Sequence, residues 1–273
     1  MLTTKIGLIG AGRMATALAR GFVRAQIARP ESILASEPSQ AARDSFKGQV
    51  PGAIVVAENK PVASQADVVF LAVKPQMMTG ALEEIRSAIR RDSLVVSIAA
   101  GVTLKRLAAG LPAGQRTVRV MPNTPCLIGQ GTSAYSLGES ATADDGRLVA
   151  ELLSAVGVAR EVPETMLDAV TGLSGSGPAF VYSMIEALAA GGTAAGLPAE
   201  LAGEMAARTI VGAGQMVLET GETPAVLRDR VTSPGGTTLA GLGVLEERGF
   251  NDAVSAAVVA AAKRSAELGQ SSG

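Results

Sequence analysis

Two glycine-containing turns carry most of the chemistry that this sequence can be expected to perform. The first lies near the N-terminus, where the short apolar run Ile6–Ile9 is followed by Gly10 to Ala15 in the pattern G-x-G-x-x-A, and apolar residues resume at helical spacing from Met14. A strand, a tight turn and a helix in this order gather free N–H groups and a positive dipole end at one point. The pattern predicts a pyrophosphate site of a dinucleotide. The alternative is an ordinary βα turn with incidental glycines.

The second turn, Thr232–Thr238 (TSPGGTT), leads into an expected helix over Leu239–Glu247. Four hydroxyl groups and two glycines around one helix start suit a small carboxylate; the alternative is a Ser/Thr cap with a Pro-Gly turn. A third glycine-rich stretch, Gly172–Pro178, is expected to be a loop that opens the next long helix. Gly175 and Gly177 there permit close packing against either a cofactor or a neighbouring helix.

Composition excludes several classes of function. With 273 residues, 47% hydrophobic residues and a net charge of −1, we expect a packed core and no broad affinity for nucleic acid. No apolar run reaches the roughly 18 residues of a membrane span, and we expect no signal peptide and a cytoplasmic protein. The chain has no histidine and one cysteine, Cys126. It therefore cannot form an intrachain disulfide, and we expect no metal site.

The missing histidine also excludes dehydrogenases that protonate a carbonyl oxygen through that residue. The two tyrosines, Tyr135 and Tyr182, are followed four residues later by Glu139 and Glu186. Neither therefore makes the Tyr-x-x-x-Lys pair of short-chain dehydrogenases.

Strands alternate with helices up to about Pro163, which predicts βαβ units and a parallel sheet. Ligands bind outside the carboxyl ends of such strands, so the loops after them are expected to line one edge. After the second strand, Glu37 can accept hydrogen bonds from the adenosine ribose 2′-OH, or it is a solvated glutamate. Arg13 and Arg43 are candidates for a 2′-phosphate. The predicted strands are Ile6–Ile9, Ser32–Ser36, Ala53–Ala57, Asp67–Val73, Leu94–Ile98, Thr117–Met121, and two short ones at Ser133–Leu137 and Val158–Val162.

Beyond Pro163 the apolar residues follow helical spacing, with helices expected at 179–195, 199–219, 238–248 and 252–268. Several are alanine-rich on more than one face, which favours an oligomer interface over a compact monomeric bundle. We predict an α/β fold with a dinucleotide-binding domain over 1–163 and a helical domain over 164–273. In the first domain Met77 and Met78 are expected in the core.

The turns described above, together with Val73-Lys74-Pro75, the run Ala99–Thr103 and the run Met121–Pro125, resemble the pyrroline-5-carboxylate reductase family. The resemblance covers nearly the whole chain, and TSPGGTT followed by a Leu-x-x-Leu-Glu helix is specific to that family. It implies NAD(P)H-dependent reduction of L-1-pyrroline-5-carboxylate to L-proline. It also implies a Rossmann-type N-terminal domain, a helical domain that forms a homodimer, and assembly in many members into a decamer.

The resemblance assigns roles by position. Glu37 stands where members often carry a small or polar residue, so either NADPH or NADH is open as the cofactor; Arg230 stands where some have Asn, and Phe180 replaces a common tyrosine. The implied cofactor-binding residues are Gly10, Ala11, Gly12, Arg13, Met14, Glu37, Asn59, Ala72, Val73, Lys74, Pro75, Ile98, Ala99 and Ala100. The implied substrate-binding residues are Glu164, Ser233, Gly235, Gly236, Thr237 and Thr238.

The implied chemistry agrees with the absence of histidine. The nitrogen of a cyclic imine can be protonated near neutral pH, and the resulting iminium accepts hydride at carbon 5 without a strong protein acid. We expect Thr238 to hydrogen-bond that nitrogen, directly or through water, as the catalytic residue. We expect the amides of Gly235, Gly236 and Thr237 to hold the carboxylate.

Three rivals remain at this point. A β-hydroxyacid dehydrogenase would need a lysine where Val181 stands, so its base is missing. A reductase of six-membered cyclic imines differs only in pocket volume. A non-catalytic nucleotide sensor would bind the cofactor without oxidising it, and the intact second turn argues against it.

Overall fold

The computed structural model describes residues 4–270 and contains an eight-stranded sheet. The strands are β1 Ile6–Ile9, β2 Ile33–Ser36, β3 Ile54–Val56, β4 Val68–Leu71, β5 Leu94–Ser97, β6 Arg116–Met121, β7 Gly131–Leu137 and β8 Gly157–Glu161. Their order is β3-β2-β1-β4-β5-β6-β7-β8. The first six run parallel, whereas β7 pairs antiparallel with β6 and parallel with β8. The predicted parallel sheet is confirmed.

Helices connect the strands and then continue alone after β8. Six helices belong to the alternating part: α1 Arg13–Arg24, α2 Gln40–Gln49, α3 Asn59–Ala63, α4 Met78–Ile85, α5 Leu104–Gly110 and α6 Ala143–Ser154. The remaining six are α7 Leu167–Val170, α8 Gly177–Ala194, α9 Ala199–Thr220, α10 Pro224–Arg230, α11 Thr237–Glu247 and α12 Phe250–Gln270. The predicted helical character beyond β8 is confirmed, but the short helices α7 and α10 were not predicted.

The sheet is covered on both faces, as its unbroken apolar strands require. Every residue of β1, β2, β4 and β5 is buried. One face packs around Phe22, Phe46 and Phe70, whose rings include a tilted pair 5.8 Å apart between Phe22 and Phe70. The other face packs against α4 through residues that include Met78 and Leu82. These two cores hold the strands in place, and they thereby set the position of the sheet edge from which the loops after the strands emerge.

Two sequence-based expectations in this part are wrong. Met77 is 54% exposed, because it lies in a 3₁₀ turn that precedes α4 and not on the buried stripe of that helix. The stretch around Gly175 is not a loop: Thr171–Gly175 form a wide helical turn between α7 and α8. Gly175 packs closely against the Met121 side chain. A Cβ on this glycine would collide with that side chain, so the position has no room for a larger residue.

The chain divides into two compact units. The first comprises the sheet and its helices through Ser176, with α12 from Val259 onward. The second runs from Gly177 to Val258. These two units are defined by contacts within the chain, and they do not test the domain boundary predicted between residues 163 and 164. That boundary remains a prediction.

The second unit leaves most of its apolar side chains uncovered. Among its residues only Ala202 and Ala206 are buried. Exposed large apolar side chains occur on each of its helices, among them Tyr182, Leu188, Met205, Val211, Leu218, Val226, Leu239 and Leu245. Such an extent of exposed apolar surface is typical of a protein–protein interface. Within residues 4–270, none of the helices combines the length and the apolar character that crossing a membrane demands.

Candidate active site

The first glycine turn is held between the ends of two neighbouring strands. The N–H of Gly10 donates to the carbonyl of Ser36 at 2.9 Å, and the N–H of Ala72 donates to the carbonyl of Ile9 at 2.9 Å. Gly10 has a φ of +94°, and a Cβ there would lie 3.1 Å from the Ala72 carbonyl oxygen. Both the backbone conformation and the close approach to Ala72 therefore require glycine at this position.

The start of α1 is open toward solvent. Gly12 is the N-cap, and no side chain caps the free N–H groups that follow it. A Cβ built on Gly12 would meet no atom within 4 Å apart from its chain neighbours, so there is free space beside this residue. Exposed N–H donors and a positive dipole end facing free space suit a pyrophosphate. The residues present thus fit the dinucleotide that the sequence predicts.

Glu37 follows β2 and lies beside this turn. Its Oε2 accepts a hydrogen bond from the N–H of Ala11 at 3.4 Å, and its Oε1 accepts one from the N–H of Ser39 at 3.1 Å. The guanidinium of Arg43 donates to the carbonyls of Glu37 and Pro38 at 2.6 and 2.7 Å. The carboxylate therefore has a fixed position next to the pyrophosphate turn.

Asn59, at the start of α3, is part of a polar network under the same edge. Its Oδ1 accepts a hydrogen bond from Ser36 Oγ at 2.7 Å, and its Nδ2 donates to Glu84 Oε2 at 2.6 Å. The N–H of Asn59 donates to Glu84 Oε1 at 3.0 Å. Glu84 was not singled out from the sequence. It holds Asn59 in place from α4.

The loops after β4 and β5 lie at the same edge, because both strands are parallel to β1 and in register with it. Ala72 and Val73 are half-buried, Lys74 is exposed, and Pro75 begins the 3₁₀ turn that leads to α4. Ile98 and Ala100 are half-buried, whereas Ala99 is almost fully buried. The predicted cofactor-lining residues are thus gathered in the first unit; their individual roles remain predictions.

An ion-pair cluster around a buried arginine contacts the start of α5, after the loop that follows β5. The Arg119 side chain on β6 is 5% exposed and contacts Glu164 Oε1 at 3.1 Å and Asp168 Oδ1 at 3.2 Å. Glu164 Oε1 also accepts a hydrogen bond from the N–H of Leu104 at 2.7 Å, at the start of α5. Ser265 on α12 donates to Asp168 Oδ1 at 2.7 Å. Glu164 was predicted to bind substrate, but its Oε1 is engaged within the protein.

The end of α12 also packs on the turn after β5. Gly101 has a φ of +73°, and a Cβ there would lie 3.2 Å from Leu268 Cβ. A Cβ on Gly269 would in turn lie 3.1 Å from the Gly101 carbonyl oxygen. The close approach of α12 therefore supports the loop Ile98–Thr103, and the ion-pair cluster supports Leu104, the residue that follows it.

The second predicted turn forms the uncapped start of α11. Gly235 has a φ of +69°, and the N–H of Gly236 donates to the carbonyl of Ser233 at 2.9 Å. Gly236 is the N-cap and receives no side-chain hydrogen bond. Thr237 and Thr238 are the first two helical residues. This turn presents free N–H groups and hydroxyls together, as a carboxylate-binding site requires.

Comparison with known proteins agrees with both halves of the chain. Residues 164–268 match a family model described as pyrroline-5-carboxylate reductase dimerisation, and residues 5–101 match one described as NADP oxidoreductase, coenzyme F420-dependent. A pyrroline-5-carboxylate reductase of Arabidopsis thaliana is 48% identical over 98% of this chain and 96% of its own length. This chain belongs to the pyrroline-5-carboxylate reductase family. The resemblance, the fold class and the identification as an oxidoreductase that uses NAD(P)H are confirmed.

Other members of the pyrroline-5-carboxylate reductase family agree over the full length. A reductase of Methanosarcina acetivorans is 43% identical over 99% of this chain and 100% of its own. A Plasmodium falciparum pyrroline carboxylate reductase, whose crystal structure has NADP bound, is 32% identical in sequence to this chain. The two structures match with a TM-score of 0.90 over 98% of this chain and 99% of that one. The family model for dimerisation, which matches residues 164–268, supports an oligomeric state for this reductase.

Within residues 4–270, no three His, Cys, Asp or Glu side chains are grouped so that they could hold a metal ion. Cys126 is 1% exposed, and burial raises the pKa of its thiol. A buried thiol with a raised pKa is a poor nucleophile, so Cys126 has a packing role.

Proposed function

We propose that this chain reduces L-1-pyrroline-5-carboxylate to L-proline with NADH or NADPH, as the final step of proline biosynthesis. The observation that carries the proposal is the 48% identity to the Arabidopsis reductase across 98% of the chain. The two uncapped helix starts, at Gly12 and Gly236, support it because each offers N–H donors for an anion.

The proposed cofactor site lies on the carboxyl edge of the sheet. The open start of α1 would hold the pyrophosphate, and Glu37 and Asn59 lie toward the adenosine side, after β2 and β3. When bound, the nicotinamide supplies a hydride to carbon 5 of the cyclic imine. The proposed cofactor-binding residues are Gly10, Ala11, Gly12, Arg13, Met14, Glu37, Asn59, Ala72, Val73, Lys74, Pro75, Ile98, Ala99 and Ala100.

The proposed substrate site is built on the start of α11. The N–H groups of Gly235, Gly236 and Thr237 would bind the carboxylate, with Ser233 beside them; that of Gly236 also donates to the Ser233 carbonyl, so it would be shared with the carboxylate. A Cβ on Gly236 would collide with Ser233 Oγ, so a side chain there would close the turn. The Thr238 hydroxyl accepts a hydrogen bond from the protonated imine nitrogen and thereby orients carbon 5. For Glu164, only Oε2 is proposed to contact substrate, because its Oε1 already has two partners.

Replacing Thr238 by Val is expected to lower kcat/KM for pyrroline-5-carboxylate by about tenfold, because a hydrogen bond to a charged group is lost without a change in shape. Thr238→Ser should retain most activity, and cofactor affinity should be unchanged in both variants. Thr193→Val is the matched control, since the Thr193 hydroxyl donates to the carbonyl of Ala189 within its own helix. Steady-state kinetics check the prediction, and wild-type kcat/KM in Thr238→Val would exclude the proposed role.

The oligomer and the location are also proposals. The exposed apolar side chains of the second unit, together with the match to a dimerisation model, support a homodimer formed through α8 to α11. A decamer, a pentamer of such dimers, is the larger assembly that the family resemblance implies. A cytoplasmic location without nucleic-acid or membrane partners is also proposed, and the net charge of −1 supports the lack of a nucleic-acid partner.

A further inference from the structure

The groups after β2 bear on which of the two nicotinamide cofactors this reductase prefers. NADH and NADPH differ only at the adenosine ribose, which carries a 2′-hydroxyl in one and a 2′-phosphate in the other. In Rossmann-type domains the residue at the end of the second strand reads this group, as an acidic side chain for the hydroxyl or an arginine for the phosphate. Glu37 and Arg43 both follow β2, and the structure gives them different hydrogen-bond partners. Arg13, the other candidate for a 2′-phosphate, is an exposed residue at the start of α1.

Glu37 is fixed as an acceptor. Each of its carboxylate oxygens takes one backbone N–H, from Ala11 in the pyrophosphate turn and from Ser39 after β2. An ionised carboxylate has about four acceptor positions, so free positions remain for hydroxyl donors after these two bonds. Because Ala11 lies within the turn that would hold the pyrophosphate, the negative charge is fixed beside the bound nucleotide. A phosphate monoester with nearly two negative charges would be repelled there.

Most of the donors of Arg43 are engaged within the protein. Its Nη1 donates to the carbonyls of Glu37 and Pro38, and its Nη2 donates to Gln40 Oε1 at 2.5 Å. Bidentate binding of a phosphate needs two parallel N–H donors of the guanidinium. In this chain three of the five N–H donors of Arg43, on Nη1 and Nη2, close the turn between β2 and α2, and only Nε–H and one Nη2–H remain. The guanidinium therefore supports the backbone that carries Glu37.

We propose that Glu37 makes this reductase selective for NADH, with its carboxylate placed by the Ala11 and Ser39 amides and its main chain braced by Arg43. The inference rests on the proposed function for the identity of the cofactor pair. It concerns only the binding of the nucleotide, so it can be tested without substrate.

The test is to measure dissociation constants of NADH and NADPH for the purified protein by nicotinamide fluorescence, without substrate. We expect NADH to bind at least about tenfold more tightly, a difference of about 1.4 kcal/mol. Glu37→Ser should bring the two constants together, mainly by tightening NADPH binding. Glu37→Gln, which keeps the shape and removes the charge, should shift the ratio in the same direction. Glu31→Gln is the matched control, because Glu31 is exposed and precedes β2 at the opposite edge of the sheet.

Two results would overturn the proposal: equal or tighter binding of NADPH by the unmodified protein, or an unchanged ratio in both Glu37 variants that retain the wild-type circular dichroism spectrum. Turnover with pyrroline-5-carboxylate is measured separately. A protein that prefers NADH but does not reduce this imine would contradict the proposed function and leave the nucleotide selectivity established. A protein that reduces the imine but binds NADPH more tightly would support the proposed function and contradict the proposed selectivity for NADH.

Discussion

The free energy of unfolding is expected to fall by about 1.5–3 kcal/mol when Arg119 is replaced by methionine, because two partly buried carboxylates lose their charged partner and keep only one neutral donor each. Arg119 is 5% exposed and bridges Glu164 and Asp168, each of which is about one-third exposed. Urea denaturation at a fixed protein concentration, followed by circular dichroism, measures the change.

Arg90→Met is the matched control for this variant. Arg90 also bridges two carboxylates, those of Asp67 and Asp92, but its side chain is 40% exposed. Exposed ion pairs contribute little, so the urea midpoint should hardly change. Equal midpoints for Arg119→Met and the unmodified protein would show that the cluster does not stabilise the first unit.

A second large effect is expected from Gly12→Val, which should weaken binding of NADH and NADPH roughly 10- to 100-fold, the range that corresponds to loss of one charge-assisted hydrogen bond. Gly12 has a φ of −74°, and a Cβ there meets no protein atom within 4 Å. The substitution therefore fits the folded chain and fills only the space proposed for the pyrophosphate. Fluorescence titration measures the affinity.

Gly80→Val is the control, since Gly80 on the exposed side of α4 also has no atom within 4 Å of a Cβ. It should leave both dissociation constants unchanged. Unchanged nucleotide affinity in Gly12→Val would mean that the start of α1 does not hold the pyrophosphate. Gly10 is not suited to this comparison, because its positive φ and its approach to Ala72 make any side chain there strain the backbone.

Local patterns in the sequence predicted the elements that carry the site. The strand before Gly10 was predictable because a short apolar run between glycines is typical of a central parallel strand, and the start of α11 because glycines and threonines gather there. Met77 was misplaced, since a 3₁₀ turn shifts it off the helical stripe. Helix α10 was missed because its charged sequence Leu227–Arg230 carries no apolar periodicity, although Thr223 caps it and Pro224 opens it.

The Arg119 cluster could not be predicted in the same way. Its partners lie 45 and 49 residues further along the chain, and Ser265 lies 97 residues beyond Asp168. No local pattern relates residues so far apart; only the folded sheet and α12 bring them together. The same holds for Glu84 and Asn59, which are 25 residues apart. Glu37 was found from its position after a strand, but its two amide donors and the bonds of Arg43 required the structure.

The most direct test of the proposed reaction is to follow the loss of absorbance at 340 nm with L-1-pyrroline-5-carboxylate and to identify the product by chiral chromatography. We predict stoichiometric oxidation of the reduced nicotinamide and formation of L-proline, with the higher kcat/KM for NADH. No oxidation with either nucleotide, by folded protein that binds one of them, would contradict the central claim. The six-membered cyclic imine would then be the next substrate to assay, and after it the hypothesis of a non-catalytic nucleotide sensor.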